Sequence, residues 1–85
     1  MEKYNGWTNY PTWAVNAWID NDERDYLYWQ NVAKKAESVE ELAERLKAEH
    51  EENAPELETG VYSELLGFAL DSVNWLEIAE ALRDE

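Results

Sequence analysis

The sequence predicts an all-α fold, a compact bundle of four to five short helices in one domain spanning residues 1–85. Three observations carry this. Apolar residues recur at spacings of three and four along most of the chain after residue 10. Helix-start signals precede each such run, and alternating strand patterns are nearly absent. The two prolines and three glycines stand at expected boundaries, Gly67 excepted.

Residues 1–10 read as an aromatic lead-in, extended or turning. Pro11 suits a first helical turn, where its missing N–H costs nothing. Ala14, Val15, Trp18 and Ile19 then share one side of a helix running to about Asn21. Asp22 is placed to cap a second helix, with Glu23 and Asp25 favourable in its first turn. That helix runs to about Ala36 and buries Tyr26, Trp29, Val32 or Ala33, and Ala36. Ser38 with Glu41 three residues later forms a capping box. It opens an acidic helix over about 38–52 with a narrow apolar face of Val39, Leu42, Ala43 and Leu46. This helix should fray after His50 and stop before Pro55. A fourth helix over about Val61–Ser72 has the widest apolar arc and is expected to be the most central. Gly67 inside it costs about 1 kcal/mol against alanine, which close contact with another helix would explain. Asn74 starts a short fifth helix with the stripe Trp75, Ile78, Ala79 and Leu82. The expected core is Trp13, Trp18, Trp29, Leu42, Leu46, Leu65, Phe68 and Trp75.

Eighty-five residues carry 20 acids against 7 bases, a formal charge of -13. Such imbalance favours disorder when aromatics are few. Here 5 Trp and 5 Tyr supply the burial that folding needs. The charge is segregated. Up to Ala36 there are five acids and four bases; beyond it, fifteen acids and three bases, a net of -12. Eight of the eleven aromatics lie at or before Trp29, so an aromatic core and a negative surface divide the chain between them. There is no cysteine, which excludes disulfides and thiolate metal sites and suits a reducing cytoplasm. No apolar run matches a signal-peptide core or a membrane span. These features predict a soluble, cytoplasmic protein without membrane association. Its charge also disfavours direct nucleic-acid binding, since phosphates would be repelled.

The segment Tyr4-Asn5-Gly6-Trp7-Thr8-Asn9-Tyr10-Pro11-Thr12-Trp13, continuing through Val15 and Trp18-Ile19-Asp20-Asn21-Asp22, resembles a family of small uncharacterised proteins of bacteriophages and plasmids. The pattern covers about a quarter of the chain and is fairly specific. Tyr28-Trp29 and Val73-Asn74-Trp75 with Ile78-Ala79 are similar but less distinctive. Pro11 departs from the residues common at that position, which should only stiffen the helix start. The resemblance implies a mobile-element origin and a bacterial host, with no established activity. Small acidic proteins of such elements are, as a class, often inhibitors of host defence.

Two features are candidates for function. Trp7 and Tyr10, with Trp13, could form a recognition surface, since Trp and Tyr dominate binding hot spots. The competing reading makes them core, their polar atoms paired with Asn5, Asn9 or backbone, and the burial needs of so short a chain favour it. The second feature is the acidic set Glu37, Glu40, Glu41, Glu44, Glu49, Glu51, Glu52, Glu56 and Glu58. Like charges four apart destabilise a helix by about a few tenths of a kcal/mol per pair. Glu41–Arg45 is a well-oriented offsetting pair, and Lys47–Glu51 a weaker one. A solvated coat is one reading. The other is imitation of nucleic acid, whose duplex carries one negative charge per roughly 1.7 Å of axis. The resemblance tips the balance towards imitation.

Other chemistry has little support. Asp20 to Asp25 resembles a calcium loop, but Asp25 stands where glycine is needed and Asn31 where a bidentate glutamate is needed. His50 reads as an exposed residue near a helix end. No catalytic triad or phosphate loop is discernible, so neither a catalytic residue, a metal nor a cofactor is expected. The leading expectation is therefore a binding protein, not an enzyme. It would inhibit a host defence or nucleic-acid-handling protein by presenting an acidic, DNA-mimicking face to a basic surface. The alternative is a protein–protein adaptor that uses the aromatic segment at Trp7 and Tyr10.

Overall fold

A computed structural model describes residues 3–84. It has five helices: α1 (Tyr10–Asn21), α2 (Glu23–Lys35), α3 (Val39–Asn53), α4 (Val61–Ser72) and α5 (Trp75–Arg83). The all-α expectation holds, and each helix starts within a residue of its signal. Asn9, Asp22, Ser38 and Asn74 cap α1, α2, α3 and α5, each side chain accepting from backbone N–H groups of the first turn. Only α4 lacks a side-chain cap. α3 continues one turn past His50 and stops at Asn53, where Ala54 turns extended ahead of Pro55.

The lead-in contains a tight turn. Asn5 and Gly6 both have positive φ, 47° and 89°. Tyr4 and Trp7 exchange backbone hydrogen bonds of 2.7 and 2.8 Å across them. Asn-Gly is the pair that tolerates such a two-residue hairpin turn. The turn folds Tyr4 back onto α1, where its ring meets Tyr10 and Trp13 edge-on at 5.1 Å each.

The centre of the molecule is α5. Trp75, Ile78, Ala79 and Leu82 are all buried there. They pack against Leu42 and Leu46 of α3, Trp29, Val32 and Ala33 of α2, and Ile19 of α1, with Val73 from the α4–α5 junction. Burying Leu42, Leu46 and Ile78 completely contributes about 2–3 kcal/mol each against exposure.

Several core expectations fail. α4 is the outermost helix and has no buried residue. Leu65 is 58 % exposed, Phe68 71 % and Trp18 75 %, and Trp13 is half-buried. The width of an apolar arc measures how much apolar side chain a helix carries, not how many neighbours are available to cover it. α3 and α5 fill one another's faces, while α4 lies mainly against α1, with Leu66, Ala69 and Leu70 lining a groove between the two. No atom from another helix lies within 4 Å of a Cβ built on Gly67, so close helix packing does not explain that glycine. The radius of gyration, 13.2 Å, exceeds the value of about 12 Å for a compact chain of this length, as an outlying helix requires.

Candidate functional site

The acidic residues divide by what holds them. Ser38 Oγ accepts from Glu41 N–H at 3.1 Å, which fixes the start of α3. Glu41 Oε2 reaches back to the Glu37 N–H at 3.3 Å, one residue outside the usual capping-box partner. Burying Leu42 and Leu46 then turns Glu40, Glu41, Glu44, Glu51 and Glu52 to solvent on one broad face. Glu37 stands exposed just before the helix, and Glu56 and Glu58 in the loop after it. Eight of the nine expected glutamates are therefore exposed. From Glu40 to Glu52 the axis rises about 18 Å. Five carboxylates over that span are on average roughly 4.5 Å apart along the axis, wider than the roughly 3.4 Å phosphate rise along one DNA strand, with a gap of about 10.5 Å between Glu44 and Glu51.

Glu49 is the exception. It sits on the flank of α3 facing α2, partly buried, and accepts from Tyr28 Oη at 2.7 Å and from Arg45 Nη2 at 3.0 Å and Nε at 3.2 Å. The Tyr28 hydrogen bond, and after it the Arg45 guanidinium, hold its carboxyl below the usual range despite partial burial. The same bond to a carboxylate raises the Tyr28 hydroxyl above its ordinary value. The expected Glu41–Arg45 pair is thus replaced by Arg45–Glu49. Both are spaced four apart, but only Glu49 offers a second partner on α2. Among the described residues of α3 this leaves Lys47 as the base standing on the acidic face.

His50 is not an exposed helix-end residue. Its ring stacks on Trp29 at 5.7 Å and leans on Trp75 at 5.2 Å. Its Nδ1 lies 2.7 Å from the Leu46 carbonyl and donates to it. Two aromatic walls and a satisfied nitrogen make it a packing element joining α2, α3 and α5. Asp22, in the segment that resembles a calcium loop, accepts from Arg24 and Asp25 N–H groups as a helix cap. Among the described residues no cluster of His, Asp and Glu could hold a metal ion. None of the helices there is long and apolar enough to cross a membrane.

The aromatic candidates separate as well. Trp7 is half-buried and packs against the core, while Tyr10 is 56 % exposed and stacks on Trp13. Asn9, expected beside the tyrosines or tryptophans, is used otherwise. Its Oδ1 accepts from Thr12 N–H at 3.0 Å and Thr12 Oγ1 at 2.6 Å, and its Nδ2 donates to the Ser72 carbonyl at 2.7 Å. The buried Thr12 hydroxyl accepts from Asn74 N–H at 2.8 Å. Asn74 in turn caps α5 through Glu77 N–H and donates to Thr8 Oγ1, while Glu77 accepts from Thr8 N–H. This clasp ties the lead-in to the α4–α5 junction. The sequence pattern marks the start at Asn74, but neither the cap at Asn9 nor any signal that the two caps touch.

The fold and these surfaces define a small all-helical protein with a strongly acidic face on α3 and a set of capped helices. The chain belongs to a family of unknown function, DUF7249, whose members match it over residues 1–85. Comparison with curated proteins and with solved structures finds no match.

Proposed function

We propose that the protein is a binding protein, not an enzyme. It acts by presenting the α3 face to a basic groove that normally holds nucleic acid. The observation that supports this reading is the set Glu40, Glu41, Glu44, Glu51 and Glu52, exposed together on one side of α3 and faced by little compensating base. Glu37, Glu56 and Glu58 extend the field at both ends of the helix. Association through such a face is fast and salt-sensitive. The resemblance of residues 4–22 to phage and plasmid proteins suggests the setting: inhibition of a host defence or nucleic-acid-handling protein. The adaptor reading keeps one supporting observation, the exposed ring of Tyr10. Trp7, turned into the core, is poorly placed to contribute to it.

Capture from a host lysate tests the proposal, using wild type and a variant carrying E40Q, E44Q, E51Q and E52Q. The wild type should hold a partner at about 0.1 M salt and release it at about 0.5 M. The variant should not hold it, and duplex DNA should displace it. A partner that the variant still holds, or that DNA cannot displace, would end the polyanion reading. Loss on Tyr10→Ala instead would favour the adaptor.

A further inference from the structure

Besides its acidic side, the molecule has an extended apolar surface on α4, the helix without a buried residue. Val61, Leu65 and Phe68 follow one another at spacings of four and three, which aligns them along a single stripe of α4. They are 61 %, 58 % and 71 % exposed, and Tyr62 beside them is 76 % exposed. A shallow groove runs between Val61, Leu65 and Phe68, edged by Glu64. The opposite side of α4 faces α1, and the exposure of Val61, Leu65 and Phe68 leaves this stripe largely uncovered by the fold.

The geometry points to a second copy of this chain as its occupant, the two α4 helices meeting face to face across a two-fold axis. Area supports that choice. The exposed fractions of these four residues amount to on the order of 500 Å², at the upper end of what a monomer leaves uncovered. Two such faces together bury about 1,000 Å², the lower bound for a specific interface. The spacing of four and three is also that of a helix seam whose knobs enter the groove of an identical partner. A two-fold contact needs only this one self-complementary patch. At this size the dimer is weak, with a Kd on the order of 10 μM. Each copy carries -13, and Glu64 and Asp71 flank the seam, so screening by salt strengthens the pairing. That dependence is opposite in sign to binding through α3, and the two surfaces share no residue. Failure of one proposal therefore leaves the other intact.

Sedimentation equilibrium of the full chain tests this, from about 5 to 500 μM protein at about 0.05 and 0.5 M salt. The expected result is a shift from the monomer mass of 10.0 kDa towards twice that value, at lower protein concentration in the higher salt. L65S and F68S together should raise Kd at least about tenfold while far-ultraviolet circular dichroism stays unchanged, because neither side chain supports the fold. L27S, removing an equally exposed leucine on α2, should leave Kd unchanged. A monomer throughout this range overturns the proposal, as does a dimer that L65S with F68S leaves intact. A monomeric chain that holds a host protein through Leu65 and Phe68 would assign the stripe to a foreign partner, and so also overturns it.

Discussion

Replacing Asn9 with alanine tests whether the clasp, and not the helix propensities around it, fixes the lead-in on the bundle. The substitution removes an N-cap, a bond from the buried Thr12 hydroxyl, and a bond to the Ser72 carbonyl across 63 residues of sequence. Loss of the cap costs about 1 kcal/mol, and each remaining bond about 0.5–1.5 kcal/mol net. Together these come to about 2–4 kcal/mol. A domain of this length unfolds with an entropy of about 0.18 kcal/mol per kelvin, so Tm should fall by about 11–22 °C. Thermal unfolding followed by circular dichroism reads the shift, and urea unfolding gives the free energy. The comparison variant is Asn16→Ala, which removes an exposed 3.2 Å bond to Asp20 and should cost under about 0.5 kcal/mol. Thr12→Val supplies the second arm. It keeps the shape but leaves the Asn74 N–H without its acceptor, at a cost of about 1–3 kcal/mol. If Asn9→Ala lost no more stability than Asn16→Ala, the reasoning would fail, and α1 would be held by apolar packing alone.

Three further outcomes are expected. Leu46→Ala, at a completely buried site between α3 and α5, should cost about 2–5 kcal/mol in urea unfolding, while Leu65→Ala on the exposed stripe should stay within about 0.5 kcal/mol in the monomer. Gly67→Ala should stabilise the chain by about 0.5–1 kcal/mol, because a helix-interior glycine with open space around its missing Cβ gives up propensity for nothing in return. The Tyr28–Glu49 bond should contribute between two pH limits. Glu49 has a depressed carboxyl, so its share is present above the ordinary value of 4.5 and is lost as pH falls through the lower folded value. Tyr28 has a raised hydroxyl, so its share is complete below 10.0 and is lost as pH rises through the higher folded value. Tyr28→Phe should flatten the stability profile at both limits while costing under about 1 kcal/mol at neutral pH, since the site is largely solvated.

Local chemistry made the helices legible. Pro11, Asp22, Ser38 and Asn74 each announce a start, and the stripe Trp75, Ile78, Ala79 and Leu82 on α5 is buried as its spacing implies. Which helix lies at the centre was not legible, because centrality depends on which faces find one another. α5 is the shortest helix, yet its narrow stripe meets α3 and α2 on both sides. The broader arc of α4 has α1 on one side and solvent on the other. The same limit applies to the charges. Exposure of Glu40, Glu44 and Glu51 follows from burial of Leu42 and Leu46 on the opposite face. That Arg45 would turn from Glu41 to Glu49 depended on Tyr28, which only the docking of α2 brings within reach. His50 was misjudged for a related reason: its neighbours in sequence are charged, but its neighbours in space are Trp29 and Trp75.

The aromatic segment over residues 4–22 is, residue by residue, mostly an instruction for folding. Asn5 and Gly6 make the turn, and Trp7 packs on the core. Thr8, Asn9 and Thr12 build the clasp, Ile19 is buried, and Asp22 starts α2. A segment spent in this way specifies an architecture. The face of α3 and the stripe of α4 lie outside it, and their exposed side chains contribute little to the core. Trp18 is the exception: it is 75 % exposed on α1, so its apolar surface adds little to the burial that holds the helices together.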